Sequence, residues 1–247
     1  MIIKTHNKQL LWCVLILTLF ISCKSKLNII QYDHQKVVID TTIQKNATVD
    51  SFLQTYRTKK DEVMNSIIGY TTTPLSKTQP ESSLGNFMCD AQLSYAKTVD
   101  SNTVAAVINY GSIRIPYISP GAITNGTIYE LMPFDNILSI VEVPGKVIQV
   151  FCDHMAALGG WPTSNLTYEI KDKKAINILI NNKPIHDNII YKLALSDYIA
   201  NGGDNCIFLK ECKRKEYNIF LRDVLIQYLK DNESIAPTIE RRVYYGE

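Results

Sequence analysis

The stretch Tyr198-Ile199-Ala200-Asn201-Gly202-Gly203-Asp204 sets an aromatic ring and a carboxylate on either side of a Gly-Gly turn. Gly202 and Gly203 can reach positive φ without a Cβ clash and let backbone come close to a ligand. The ring offers a flat face for a nucleobase. A carboxylate six residues further on can accept both hydroxyls of a ribose, if the turn folds the two onto one site. An N-G-G-D turn is by itself an ordinary loop, so its meaning rests on what lies upstream.

Outward from this turn the chain reads as one domain of the α/β (α+β) class, with a mixed sheet and packed helices, over residues 48–247. A hydrophobic content of 46% is ordinary for a globular chain and sufficient for a sizeable core. Val49, Phe52, Leu53, Tyr56, Val63, Met64 and Ile67 recur at helical spacing, with Thr48 as an N-cap and Gly69 as a stop. A second amphipathic helix is expected over 84–99, with Leu84, Phe87, Met88, Ala91 and Tyr95 on one face. Strands are expected over 103–108, 137–143, 166–170, 176–180 and 189–195. Asn181-Asn182 reads as a turn between the last two. Gly145 leads into a helix carrying Val147, Ile148, Phe151, Met155 and Leu158, and a closing helix is expected over 217–229. Helices interspersed with hairpin and crossover strands imply the mixed sheet.

Before the domain, Lys4 and Lys8 precede an apolar run over 10–21 broken only by Thr18. A membrane-spanning helix needs about 20 residues, so this run is too short and matches the h-region of a secretory signal. It closes on Phe20-Ile21-Ser22-Cys23, which resembles a bacterial lipobox. The same start would suit a plain signal peptide or an N-terminal anchor, and the Ser22-Cys23 pair favours the lipoprotein type. Residues 1–22 are therefore read as the signal, Cys23 as the lipidated residue and 23–47 as a polar tether, with a short strand at 37–39. The expected location is the bacterial cell envelope, lipid-anchored to a membrane and facing the periplasm.

Charge and cysteine narrow the partners. The chain has 26 Lys+Arg and 24 Asp+Glu, and the signal takes away two lysines and no acid, leaving 24 of each. A polyphosphate track wants a basic excess, so nucleic acid is not the expected partner. Lys213-Arg214-Lys215 is read as a solvated loop. Cys89 and Cys152 fall on buried helical faces as small hydrophobes, and Cys206 and Cys212 are spaced so that pairing stays open.

Three loops follow predicted elements in a telling order: Asn109-Tyr110-Gly111-Ser112-Ile113-Arg114, then Met132-Pro133-Phe134-Asp135-Asn136, then the Tyr198 turn. With Glu81-Ser82-Ser83-Leu84-Gly85-Asn86 ahead of them, this order resembles the C-terminal domain of the 5′-nucleotidase family. The family pattern there runs roughly E-S-N-L-G-N, N-G-G-G-I-R, P-F-x-N and F-L-A-N-G-G-D. The resemblance covers about 49–240. It implies that Phe134 and Tyr198 sandwich a base and that Asn109 and Asn136 contact the nucleoside. It also implies that Arg114 meets phosphate or ribose, that Asp204 holds the ribose hydroxyls, and that Gly111, Gly202 and Gly203 shape the loops. Amides offer donor and acceptor to a base edge, and a guanidinium suits phosphate. Tyr110 and Ser112 replace two glycines and make the first loop bulkier. Pro80 stands where the family often has a phosphate-facing arginine, which weighs against phosphate binding more than against nucleoside binding.

Family members carry their chemistry in a separate metallophosphoesterase domain with two metal ions, whose ligands resemble D-x-H, G-N-H-E and G-H-x-H. This sequence has His6, His34, His154 and His186, none in such a pattern. No Ser-His-Asp motif, G-x-S-x-G elbow or phosphate loop occurs. No catalytic or metal-ligating residue and no cofactor is therefore expected in this chain. Divalent metals such as Mn or Zn are expected only in a separately encoded partner domain. The favoured reading is the nucleotide- or nucleoside-binding half of a split 5′-nucleotidase. The alternative is a nucleoside- or nucleotide-binding lipoprotein with no hydrolytic role.

Overall fold

The computed structural model describes residues 36, 38–40 and 43–246. The signal segment, Cys23 and most of the tether lie outside these residues. Val38 and Ile39, expected within a short strand, carry no regular structure.

The chain enters through α1 (Ala47–Met64), followed by β1 (Ile67–Thr71), β2 (Leu75–Ser76) and α2 (Ser83–Val99). Next come β3 (Thr103–Val107), β4 (Tyr117–Ile118), β5 (Gly121–Thr124), α3 (Asn125–Leu131), β6 (Ile137–Pro144) and α4 (Gly145–Ala157). The second half holds β7 (Thr163–Ser164), β8 (Leu166–Lys171), β9 (Lys174–Ile180), β10 (Lys183–Pro184), β11 (Ile190–Ser196) and α5 (Asp197–Ala200). It closes with β12 (Arg214–Phe220), α6 (Leu221–Asn232), β13 (Ser234–Ile235) and β14 (Val243–Tyr245). Thr48–Glu247 clusters as one compact unit.

A five-stranded mixed sheet in the order β12-β6-β11-β3-β7 forms the centre. Only the β11–β3 pairing within it is parallel. Both faces are buried, and the period-two alternation of side chains shows which residue serves which face. Ala106, Leu138, Ile140 and Ala194 join one core with Leu84, Phe87, Met88 and Ala91 of α2 and Leu225 and Leu229 of α6. Ala105, Val107, Val141, Val143, Leu193 and Leu195 face the other way, onto Ile148, Phe151 and Met155 of α4. Tyr168, Ile178 and Ile180 of the β8–β9 hairpin complete that second core.

Several expectations need correction. Thr48, expected to cap the first helix, lies within it, since α1 begins at Ala47, and no residue of the helix is buried. The helix stops at Met64, and Ile67 and Gly69 belong to β1, where a Cβ on Gly69 would sit 3.1 Å from the Leu229 carbonyl oxygen. Asn181 and Asn182, both at positive φ, turn β9 into β10 rather than into β11, the backbone sense a tight hairpin prefers. Tyr217–Phe220 lies in strand β12, with helix beginning only at Leu221. There the alternation of Tyr217 and Ile219 toward the core outweighs the helical spacing. Arg214 and Lys215 therefore belong to a strand, not to a solvated loop. All four cysteines in the described region are free, with Cys89, Cys152 and Cys206 buried.

The Glu81–Asn86 segment is a clasp for the C-terminal chain. Glu81, 6% exposed, accepts hydrogen bonds from the side-chain amide of Asn86 (2.7 Å) and from the backbone of Glu240 (2.9 Å) and Arg242 (3.0 Å). Ser82 caps α2 by accepting from the Gly85 amide. Gly85 is obligatory for contact, since a Cβ there would stand 2.4 Å from the Pro162 ring. Arg242 in turn makes a two-pronged pair with Asp90 of α2, at 2.7 and 2.8 Å.

Candidate functional site

The sheet topology determines where the motif loops meet. β3 and β11 run parallel, so residues 109–114 and 197–204 both leave the sheet at the same edge. β6 is antiparallel to β11, with Ser196 opposite Leu138, so the Phe134–Asn136 loop enters β6 at that edge too. The three loops close around a cavity of about 300 Å³ lined by Asn109, Gly111, Ser112, Arg114, Phe134, Asn136, Tyr198 and Asp204. All six residues assigned to binding from the sequence line it, together with Gly111 and Ser112. The volume lies at the small end of the range for small-molecule sites.

Two rings give the cavity its apolar character. Phe134 is 36% exposed and Tyr198 44%, well beyond what a core ring leaves uncovered. Gly203 lies flat on one face of Tyr198: a Cβ on it would come 2.5 Å from the ring. The glycine is thus required by close approach, whereas Gly202 is required by its φ of 88°. A Cβ on Gly111 would meet only the Asn109 amide at 3.5 Å, so that glycine is needed for neither reason. The Arg114 guanidinium carbon stands 5.4 Å from the centre of the Phe134 ring. This cation–π contact holds the charge beside the ring.

The polar wall centres on Asp204, held in the left-handed region at φ 48° and ψ 36°, a conformation aspartate tolerates better than most residues. The Tyr198 hydroxyl donates to one carboxylate oxygen at 2.8 Å and accepts from the Asp204 backbone amide at 3.2 Å. Its bond to the carboxylate pushes the Tyr198 hydroxyl above its ordinary pKa. Asn109 donates to the other carboxylate oxygen at 2.7 Å. Ser112 in turn donates to the Asn109 carbonyl oxygen.

Several supporting residues were not legible as site residues. His154, read from the sequence as structural, places its Nε2 2.9 Å from the Asp204 carbonyl oxygen and packs edge-on against Trp161 and Phe208. Arg222, 8% exposed, donates to the Phe134 carbonyl (3.2 Å) and pairs with Asp135 (3.0 Å), pinning the loop that carries the ring. Lys77 donates to the Ile113 carbonyl at 2.7 Å, and burial followed by the nearby Arg114 charge lowers its pKa. Arg214 ties down the Ala200 carbonyl and the Asn201 side chain ahead of the Gly-Gly turn. None sits near these loops in sequence except Arg214, and only long-range contact reveals them. Pro80 does not line the cavity: Gln79 beside it is bonded to the Leu158 and Gly160 carbonyls at the end of α4.

Among the described residues no group of three or more His, Cys, Asp or Glu side chains is gathered as a metal site would require. The cavity lining offers ring faces, a carboxylate acceptor, an amide and a guanidinium around a space sized for a small molecule.

Fold and cavity together define a mixed-sheet domain whose loops enclose a cavity lined by two rings and a polar wall. The family is more particular: the model of the 5′-nucleotidase C-terminal domain matches residues 67–211, over half of the chain, and the chain belongs to that family. It is 23% identical to the 5′-nucleotidase of Mus musculus over 89% of its own length and 44% of that protein. It is 25% identical to the trifunctional nucleotide phosphoesterase protein of Bacillus subtilis, covering 83% of this chain and 16% of that one. Among solved structures, the 5′-nucleotidase precursor from Thermus thermophilus superposes with a TM-score of 0.71 at 25% identity, over 80% of this chain and 43% of that one. The chain therefore spans less than half the length of the relatives it matches.

Proposed function

We propose that this chain is the nucleotide- or nucleoside-binding half of a split 5′-nucleotidase, with hydrolysis supplied by a separately encoded metallophosphoesterase. The observation that carries the reading is the convergence of Phe134, Tyr198, Asp204, Asn109, Asn136 and Arg114 on one cavity. In this reading the rings take the base, Asp204 takes the sugar hydroxyls and Asn136 the base edge. Arg114 lies on the phosphate side. The outward apolar stripe of α1 (Val49, Phe52, Leu53 and Tyr56, all exposed) supports a protein partner, since such stripes commonly mark contact surfaces.

The purified chain should show no hydrolysis of AMP with manganese and should turn it over once the partner is added. The two-metal ligand motifs that activate water are absent from its sequence. Chelator-sensitive phosphate release by the chain alone would overturn the division of labour. Nucleoside binding that no metallophosphoesterase converts into turnover would favour the stand-alone binding lipoprotein.

We also propose that the protein is lipid-anchored at Cys23 in the bacterial envelope, facing the periplasm, on the strength of the charged and apolar start and the Ser22-Cys23 pair. Replacing Cys23 with alanine should abolish acylation and leave the signal unprocessed. Processing and membrane recovery both unchanged would refute the anchor.

A further inference from the structure

Asn109 matches a family residue implied to touch the nucleoside, yet its side chain is occupied at both ends within the protein. It is 5% exposed. A carboxylate only accepts hydrogen bonds, so the amide nitrogen must be the end facing Asp204, at 2.7 Å, which turns the amide oxygen to the Ser112 hydroxyl. From the opposite side the Tyr198 hydroxyl takes the other carboxylate oxygen at 2.8 Å. Four side chains from two loops are therefore joined in series.

We infer that Ser112, Asn109, Asp204 and Tyr198 act as one hydrogen-bonded relay that sets the Asp204 carboxylate to receive a vicinal diol, with Ser112 and Tyr198 as its two ends. This rests on the nucleoside reading above and makes Asn109 a positioning residue rather than a ligand contact. Each carboxylate oxygen offers about two acceptor sites. The relay fills one on each, from Asn109 and from Tyr198, and leaves one on each. Two adjacent free acceptors on a fixed plane match two adjacent hydroxyl donors, which a 2′-deoxyribose lacks. Neither glycine at 112 nor phenylalanine at 198 could make these bonds. Two of the residues by which this chain departs from the family pattern, Ser112 and Tyr198, are thus the two ends of one device. Tyr198 also accepts from the Asp204 amide at 3.2 Å, so its hydroxyl couples the angle of the stacking ring to the carboxylate.

The test is calorimetric titration of adenosine and 2′-deoxyadenosine into wild type, Ser112→Ala, Tyr198→Phe and the double variant, with thermal unfolding to confirm that each is folded. Both substitutions keep the ring and the carboxylate. Tyr198→Phe should cut the preference for adenosine over 2′-deoxyadenosine by about tenfold, the order expected for loss of one hydrogen bond to a charged group. Ser112→Ala should lower it in the same direction. The double variant should lose no more than the larger single effect, because both ends act through one carboxylate. Wild-type binding with a preference that neither substitution moves, or with losses that simply multiply, overturns the relay alone. Absence of nucleoside binding by wild type overturns the nucleoside reading and the relay's role with it.

Discussion

Replacing Phe134 and Tyr198 together with alanine should reduce nucleoside affinity by about thirtyfold or more, leaving the fold intact. Stacking a base on an aromatic side chain contributes about 1–3 kcal/mol per ring, and tenfold in affinity is about 1.4 kcal/mol. Both rings line the cavity and neither is part of a core, so their loss removes ligand contact rather than packing. Each single replacement should weaken adenosine by roughly five- to a hundredfold. Asp204→Ala should act differently, costing ribonucleosides more than free bases because it takes away the hydroxyl acceptor and leaves the rings. Calorimetry with adenosine, adenine and ribose separates these contributions. Equal binding by wild type and the double ring variant would remove Phe134 and Tyr198 from the site.

The largest stability effect is expected outside the cavity lining, at Glu81. Its carboxylate is 6% exposed and receives three donors, from Asn86, Glu240 and Arg242. Alanine there would take the acceptor from the part-buried Glu240 and Arg242 amides and leave the Asn86 amide only its bond to the Thr238 carbonyl, and each unsatisfied buried group costs about 1–3 kcal/mol. Glu81→Ala should lower unfolding stability by about 2 kcal/mol or more and release the 238–246 segment, including β14 from its pairing with β8. Denaturant unfolding measures the loss, and limited proteolysis should show early cleavage in that C-terminal segment. A stability within about 1 kcal/mol of wild type would show that the clasp carries little of the fold.

The clasp also shows how motif recognition and physical role can diverge. Glu81-Ser82-Ser83-Leu84-Gly85-Asn86 helps identify the family, yet its side chains cap a helix, seat Pro162 and hold the C-terminal chain. None of them lines the cavity. Asn109 diverges in a smaller way: motif matching places it against ligand, and the structure places it against Asp204.

The sequence by itself determined the α/β class, the second helix with its Leu84, Phe87, Met88 and Ala91 face, the strands beginning at Thr103 and Ile137, and, through the family resemblance, six of the eight residues that line the cavity. The class and elements follow from local signals, period 3.6 or period 2 in apolar residues and glycines at turns, and the six residues from motif order. It misplaced the ends of α1, which spans Ala47–Met64, and periodicity, which tells that a helix has an apolar face, did not tell whether anything covers it. It misjudged Tyr217–Phe220, where pairing with β6 overrode local helical spacing. Tertiary structure alone decided that three loops separated by up to 95 positions share one edge, through one parallel and one antiparallel pairing of β11. It alone decided that His154, Arg222 and Lys77 support those loops, and that Ser112 and Tyr198 meet through Asn109 and Asp204. The physical reason is that a hydrogen bond is fixed by distance and direction in space, which the order of residues along the chain does not encode locally.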